Sequence, residues 1–329
     1  MPIVTRISDA NTNDAIRLKG RNAIFTSCGG LDLSYHRYGI NANIGGAVRV
    51  NNVTIKKSSK DGVHLFGAKM EMYNSTIEES SEHGLRFSDS QSYIDNLTSK
   101  NNKGDGISAW RSRITVKNSI ISGNADEGIE LNSGSNLSLE SSTISSNSDD
   151  GIEAYENIYI QVKDSTISNN NSEAIAYGEG SFLDIQDSTI SGVSGVNAIN
   201  GGNNAVLKIT EDSGSTVIST TNNKTIVLSS NSSGQIRSGV QVTSTGTNGY
   251  GVAVSKGSLI NIESGATITG DSNYASIQGG FGSKIDIDYG ATVQSVLCGN
   301  DNQTMVILNG SSGNYPSPTI GSNCITVKD

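Results

Sequence analysis

The chain has 329 residues, of which 34% are hydrophobic, 17% charged and 38 glycine, too few apolar residues for a thick three-layer core and too few charges for a coiled coil. Its 23 basic and 32 acidic residues leave a net charge of −9, which repels a phosphate backbone on average and argues against a nucleic-acid partner. No apolar run approaches the roughly 18 residues of a membrane span, which argues against membrane insertion, and residues 1–30 lack the apolar stretch of a signal peptide.

Residues 1–30 read as an N-terminal cap or first coil. From 31 to 200 a small residue followed by an aliphatic one recurs at Gly39-Ile40, Gly62-Val63, Gly84-Leu85, Gly106-Ile107, Gly128-Ile129, Gly151-Ile152, Ala174-Ile175 and Ala198-Ile199. Ile55, Ile77, Ile121, Ile144 and Ile167 each fall seven residues before one of these marks, and alternating pairs such as Val48/Val50, Met70/Met72 and Ile114/Val116 lie further upstream. Ser99 stands where the pattern expects isoleucine, the weakest point of the series. Each period therefore holds three short segments with strand alternation, separated by polar turns. No segment sustains a helical period, and Ser, Asn, Thr and Gly are poor helix formers.

Such segments suffice as strands only if neighbouring coils continue the sheet. Stacked in register about 4.8 Å apart, the aliphatic positions become core columns. The expected fold is all-β, a parallel β-solenoid with about 22–25 residues per coil and roughly 14 coils. Residues 201–329 read as looser coils and a C-terminal cap, with a 25-residue period linking Val252 to Ile277, Ile260 to Ile285 and Ile268 to Val293. At that period Cys298 and Cys324 fall on adjacent coils, inside the Cα window of a disulfide. The alternative for these two, and for the solitary Cys28, is a buried free thiol.

Counting from the glycine mark as zero, positions +1 and +3 point inward. The +3 column reads Leu65, Phe87, Ala109, Leu131, Ala154, Tyr177. The outward +2 column reads His64, Arg86, Ser108, Glu130, Glu153, Ala176, and the +4 column Phe66, Ser88, Trp110, Asn132, Tyr155, Gly178. Phe66, Trp110 and Tyr155 thus recur on every second coil, about 10 Å apart, with apolar ring faces suited to sugar C–H groups. Arg86 joins them as a candidate carbohydrate contact, and Arg111 and Arg113 beside Trp110 are placed to meet an anionic sugar. The competing reading is three unremarkable surface aromatics.

Glu130 and Glu153 share a column on adjacent coils, near the roughly 5–5.5 Å carboxylate separation of retaining glycosidases. Like charges that close raise one of the two pKa values, so the pair, with Asp150, is the candidate catalytic set. A Ca2+ site is a second reading of the acidic residues between 126 and 156, Asp126, Glu127 and Asp149 among them. The third is ordinary turn chemistry, since Asp61, Asp105, Glu127, Asp150 and Glu173 all precede the small residue of the mark. His36, His64 and His83 lack the spacing of a zinc or copper site, and no other metal or cofactor is expected.

The recurring NSTI…G-I marks resemble the repeats of right-handed parallel β-helix proteins, the pectate-lyase-like superfold. The resemblance covers 31–200 well and 250–295 moderately. It implies a right-handed single-stranded β-helix, in a class that includes polysaccharide lyases, glycoside hydrolases, uronan epimerases, phage tailspikes and adhesins. The SDDGIE run resembles the paired aspartates of polygalacturonases, but the Gly-His-Gly and Arg-Ile-Lys of that pattern are missing, as is the Asp-Pro-His-Asp run of uronan epimerases. The turns between 40 and 200 are too short to wall a deep groove. The resemblance therefore implies a virion-associated or extracellular structural β-helix that recognises surface polysaccharide, tailspike-like or adhesin-like, with a homotrimer as the associated assembly. A polysaccharide depolymerase and a non-binding spacer are the alternatives.

Overall fold

The computed structural model describes residues 3–5, 13–20, 22–27, 29–271, 273–299, 303–310 and 316–329, so Cys28 lies outside the described residues. Among them every regular element is a strand, and no helix is long and apolar enough to cross a membrane. Strands continue from coil to coil as parallel, in-register neighbours, making the chain the β-solenoid that its periodicity implies. It divides into two compact units, residues 1–154 and 155–329.

In the N-terminal unit the first sheet holds Ile16–Lys19, Ile40–Ala42, Val63–Phe66, Leu85–Ser88, Ile107–Trp110, Ile129–Asn132 and Ile152–Ala154. Equivalent residues Ile40, Val63, Leu85, Ile107, Ile129 and Ile152 are direct partners, at steps of 23, 22, 22, 22 and 23. Ile3–Thr5 pairs antiparallel with Ile16–Lys19 and so occupies the sheet's first edge, which would otherwise be free to pair with another chain. A second set of strands, Ala47–Asn51, Lys69–Glu78, Gln91–Lys100, Arg113–Lys117 and Asn136–Glu140, follows after left-handed residues at the corner, Gly45, Gly67, Asp89 and Arg111 singly and Ser133 with Gly134 as a pair. Strand alternation sends Val63 and Leu65, Leu85 and Phe87, Ile129 and Leu131 into the core, all at 0–1% exposure. Each such side chain contributes about 1.5–3 kcal/mol relative to leaving it in water.

The corners turn backbone away from the sheets, and polar side chains satisfy the N–H groups left there. Ser112 Oγ accepts from Ser90 N at 3.0 Å and Ser135 Oγ from Ser112 N at 3.1 Å. Asn124 Oδ1 accepts from Asn102 N and Nδ2, and Asn147 Oδ1 repeats the pattern for Asn124. This buried asparagine ladder explains Ser99. It sits in register between Ile77 and Ile121, fully buried, accepting from Asn102 Nδ2 and donating to Gly106 O. The weak rung is a paired polar rung, and its strand is intact.

In the C-terminal unit the partners Ile175, Ile199, Ile226, Val252, Ile277, Val296 and Ile320 step by 24, 27, 26, 25, 19 and 24. Surplus residues become tied turns. Between Thr210 and Thr216, Asp187 Oδ1 accepts from Asp212 N and Gly214 N, which holds its carboxyl below the usual range. The inward Tyr177 is buried and pairs with Gly201, where an added Cβ would meet the phenol oxygen at 2.7 Å. Cys298 and Cys324 are disulfide-bonded with Cα atoms 5.4 Å apart, so the cross-coil pairing, not the free-thiol reading, describes them.

Candidate functional site

On the first sheet of the N-terminal unit, register puts His64, Arg86, Ser108, Glu130 and Glu153 in one outward column and Phe66, Ser88, Trp110 and Asn132 in the next. Phe66 is 41% and Trp110 39% exposed, high values for large apolar side chains on a sheet. The indole is held from two sides. Its Nε1 donates to Ser133 Oγ at 2.7 Å, and the Arg111 guanidinium lies 3.2 Å from the ring centroid. Arg111 is itself fixed by two 2.7 Å hydrogen bonds to Asp89. Its charge is therefore spent on Asp89 and the indole, which places it behind the ring as a buttress. Arg86 is exposed between His64 and Ser108. Tyr155, in the C-terminal unit, is exposed as well.

Glu130 and Glu153 are direct cross-coil partners, and Glu130 Oε2 accepts from Ser108 Oγ at 2.7 Å. Asp150 lies in the preceding turn and is buried.

One feature of the surface escaped the sequence reading. Around the corner from Trp110, a groove of about 610 Å³ is lined by Lys69, Asp89, Gln91, Arg111, Arg113 and Asn136. It shares Lys69, Gln91 and Arg113 with a second hollow of about 500 Å³ that continues to Arg49 and Tyr93. Lys69, Gln91, Arg113 and Asn136 are register partners on successive coils, so the lining is another outward column. Arg49 is paired with Glu71, but among the described residues Lys69 and Arg113 have no ion-pair partner. The alternation that marks Met70 and Met72 as inward also marks Lys69 as outward, and carried coil by coil it identifies this column.

A third cluster occupies the turn before the first sheet. Asp61, His83, Asp105 and Glu127 stand at equivalent positions ahead of the glycine marks. Asp61 accepts from the His83 backbone N–H and contacts His64 Nδ1 at 2.9 Å. Oxygens of Asp105, Asp126 and Glu127 all lie within 4.8 Å of one another. Burial, then the shared contact with Asp105, pushes the Glu127 carboxyl up to about 9, and burial followed by the Asp105 charge also raises Asp126.

Residues 67–209 match the family model described as "Right handed beta helix region". The chain is thus a right-handed parallel β-helix repeat protein, as its NSTI…G-I marks imply. Among the curated proteins no relative is found. Among solved structures it is similar to a chain of the Vag8–C1 inhibitor complex, with a TM-score of 0.65 at 14% identity over 91% of this chain and 78% of that one. It is also similar to the A-module of the Azotobacter vinelandii mannuronan C-5 epimerase AlgE6, with a TM-score of 0.50 at 15% identity over 91% of both chains. The AlgE4 A-module from the same organism follows at 0.50 and 12%, over 86% of this chain and 88% of that one. At such identities the likeness is one of fold.

Proposed function

We propose that this protein is a carbohydrate-recognising β-helix of an extracellular surface or a virion, and that its glycan lies across the corner between Trp110 and the Lys69–Gln91–Arg113 column. The carrying observation is the contiguity of these two features. An indole immobilised by Ser133 and Arg111 borders a groove whose Lys69 and Arg113, without an ion-pair partner among the described residues, stand two coils, about 10 Å, apart. Rigid aromatic faces take sugar C–H groups at little entropic cost, and the cations favour a glycan bearing acid groups at a disaccharide spacing. Phe66 and Arg86 extend the contact on the first sheet, and Tyr155 is a separate candidate carbohydrate contact of the C-terminal unit. The fold's occurrence in a mannuronan epimerase supports a polysaccharide partner, and the cross-coil disulfide supports an oxidising location. In tailspike-like use the assembly would be a homotrimer, read directly by light scattering in solution.

The deciding experiment presents neutral and acidic polysaccharides to wild type and Trp110→Ala, reading retention and reducing-end release together. Trp110→Ala should weaken retention at least tenfold with an unchanged circular dichroism spectrum. Equal retention by a folded variant would remove the proposal, and retention of neither sugar class would favour a protein partner or a spacer.

A depolymerase is the second reading, on the observation that Glu130 and Glu153 are cross-coil partners with Ser108 oriented toward Glu130. With Asp150 as a supporting acid, Glu153→Gln should abolish release and leave retention intact. If wild type releases no oligosaccharide, this reading fails.

A further inference from the structure

In the C-terminal unit the second set of strands begins, coil after coil, with Tyr159, Phe182, Val206, Ser233, Leu259, Lys284, Met305 and Ile325, which are direct register partners. All but Ser233 and Lys284 are apolar, yet the column points outward. The residues that follow it on each strand, Ile160, Leu183, Leu207, Ile260, Ile285 and Val306 among them, fill the core instead. Tyr159 is 43%, Val206, Leu259 and Met305 each 37%, and Ile325 45% exposed. Phe182 stacks on Tyr159 with ring centroids 5.3 Å apart. A sheet position that faces water is ordinarily polar. The leading residues of the corresponding strands in the N-terminal unit are Ala47, Lys69, Gln91, Arg113 and Asn136, so the fold does not demand apolar side chains there. Seven steps of about 4.8 Å make the column an apolar stripe about 34 Å long.

We propose that this stripe is the surface on which a second copy of the chain packs, stripe against stripe. Charge selects the partner. The stripe and the outward column beside it carry four charged residues, Asp184, Lys208, Lys284 and Asp286. Lys208 pairs with Asp184 at 3.0 Å and Lys284 with Asp286 at 2.7 Å, so the face is neutral in a chain of net charge −9. A nucleic acid, an anionic membrane or an acidic peptide would need cations that are still unpaired. A second copy needs none, is not repelled at this face, and brings apolar side chains at the same coil pitch. The area suffices as well. One strand, about 17 Å, wide and about 34 Å long, the face covers roughly 600 Å² in plan, near the ~800 Å² per partner of a stable interface once side-chain relief is included. Removing the apolar column from water supplies the driving force. The surface is separate from the glycan face and stands or falls independently of it; a homotrimer of tailspike-like use would place the same stripe at its contacts.

The test is sedimentation equilibrium of the full chain across the micromolar range, with light scattering on the same samples. Wild type should give a whole multiple of the monomer mass. Leu259→Asp puts a charge at the middle of the stripe and should raise the dissociation constant at least tenfold with an unchanged circular dichroism spectrum, whereas Leu259→Met should associate like wild type. Met305→Gln is the milder change that keeps the test open if Leu259→Asp fails to fold, and it too should weaken association. Trp110→Ala should associate like wild type, so loss of glycan retention and loss of assembly are read separately. A wild type that stays monomeric throughout the range would overturn the proposal. So would an assembly that neither Leu259→Asp nor Met305→Gln weakens.

Discussion

In the N-terminal unit successive coils differ by 22 or 23 residues, and the outward columns carry matched charges: Glu78 between Lys56 and Lys100, Glu82 by Lys60, Asp89 by Arg111, Glu140 by Lys117. In the C-terminal unit the step ranges from 19 to 27, and cross-coil ion pairs among the described residues reduce to Lys208–Asp184 and Arg237–Glu263, with a disulfide near the end. A constant step lets an outward residue meet a predictable neighbour, so charge can be complemented coil by coil. Where the step varies, that matching weakens, and the coils rely on the hydroxyl ladders that both units carry, such as Ser232 on Ser258 and Ser112 on Ser135, together with a covalent link. Phe66, Trp110, the groove and the acidic turns all lie in the constant-step unit, where an outward residue keeps the same neighbours coil after coil.

The strongest way to break this contrast is to violate the spacing that the constant step requires. At Gly106 an added Cβ would stand 2.3 Å from Ile121 Cγ2 and 2.7 Å from Gly128 O. Gly106→Ala should therefore cost roughly 3 kcal/mol or more. Hydrogen exchange should show the loss of protection in the N-terminal unit first, since solenoid stability propagates through nearest neighbours. Cys324→Ser tests the other unit. Opening the 26-residue loop should cost about 3 kcal/mol, with lost protection confined to the C-terminal coils. Loss that begins in the N-terminal coils would contradict the division of labour.

The smallest effect concerns the charged columns. Hydrogen bonding to Lys56, opposed by burial, and then to Lys100, holds the Glu78 carboxyl below its usual range. A depressed folded pKa gives stability that is present above the unfolded value of about 4.3 and is lost as pH falls through the folded one. Wild type should thus lose midpoint stability on acidification below pH ~4.3 to a greater extent than Glu78→Gln, by chemical denaturation at matched ionic strength. Parallel pH curves would remove the pairing as a contributor.

Burial explains what the sequence could reveal. A column such as Ile55, Ile77, Ile121 and Ile144 must repeat, because each side chain packs on its equivalents, and strand alternation then assigns every neighbour a side. The same logic covers Phe66, Trp110, Glu130 and Lys69. It fails at Ser99, where a partner three residues away, Asn102, makes a hydroxyl acceptable in the core. It fails again at Arg111, since side-chain torsions, not spacing, laid the guanidinium on Trp110 and against Asp89. The convergence of Asp105, Asp126 and Glu127 was visible only as three acids near turns, because which oxygens meet depends on rotamers within those turns.

Register also sets the grain in which this chain can grow or shrink. Gain or loss of one whole coil returns every aliphatic column to itself, whereas a single-residue insertion must be absorbed by a corner or it turns the core outward. The charged columns obey a stricter rule. Excising the coil that carries Glu78 would bring Lys56 to face Lys100, so the geometry would survive and the complementarity would not. Coil number in the constant-step unit is therefore tied to the order of its charges, while the neutral ladders of the other unit leave its length free to drift.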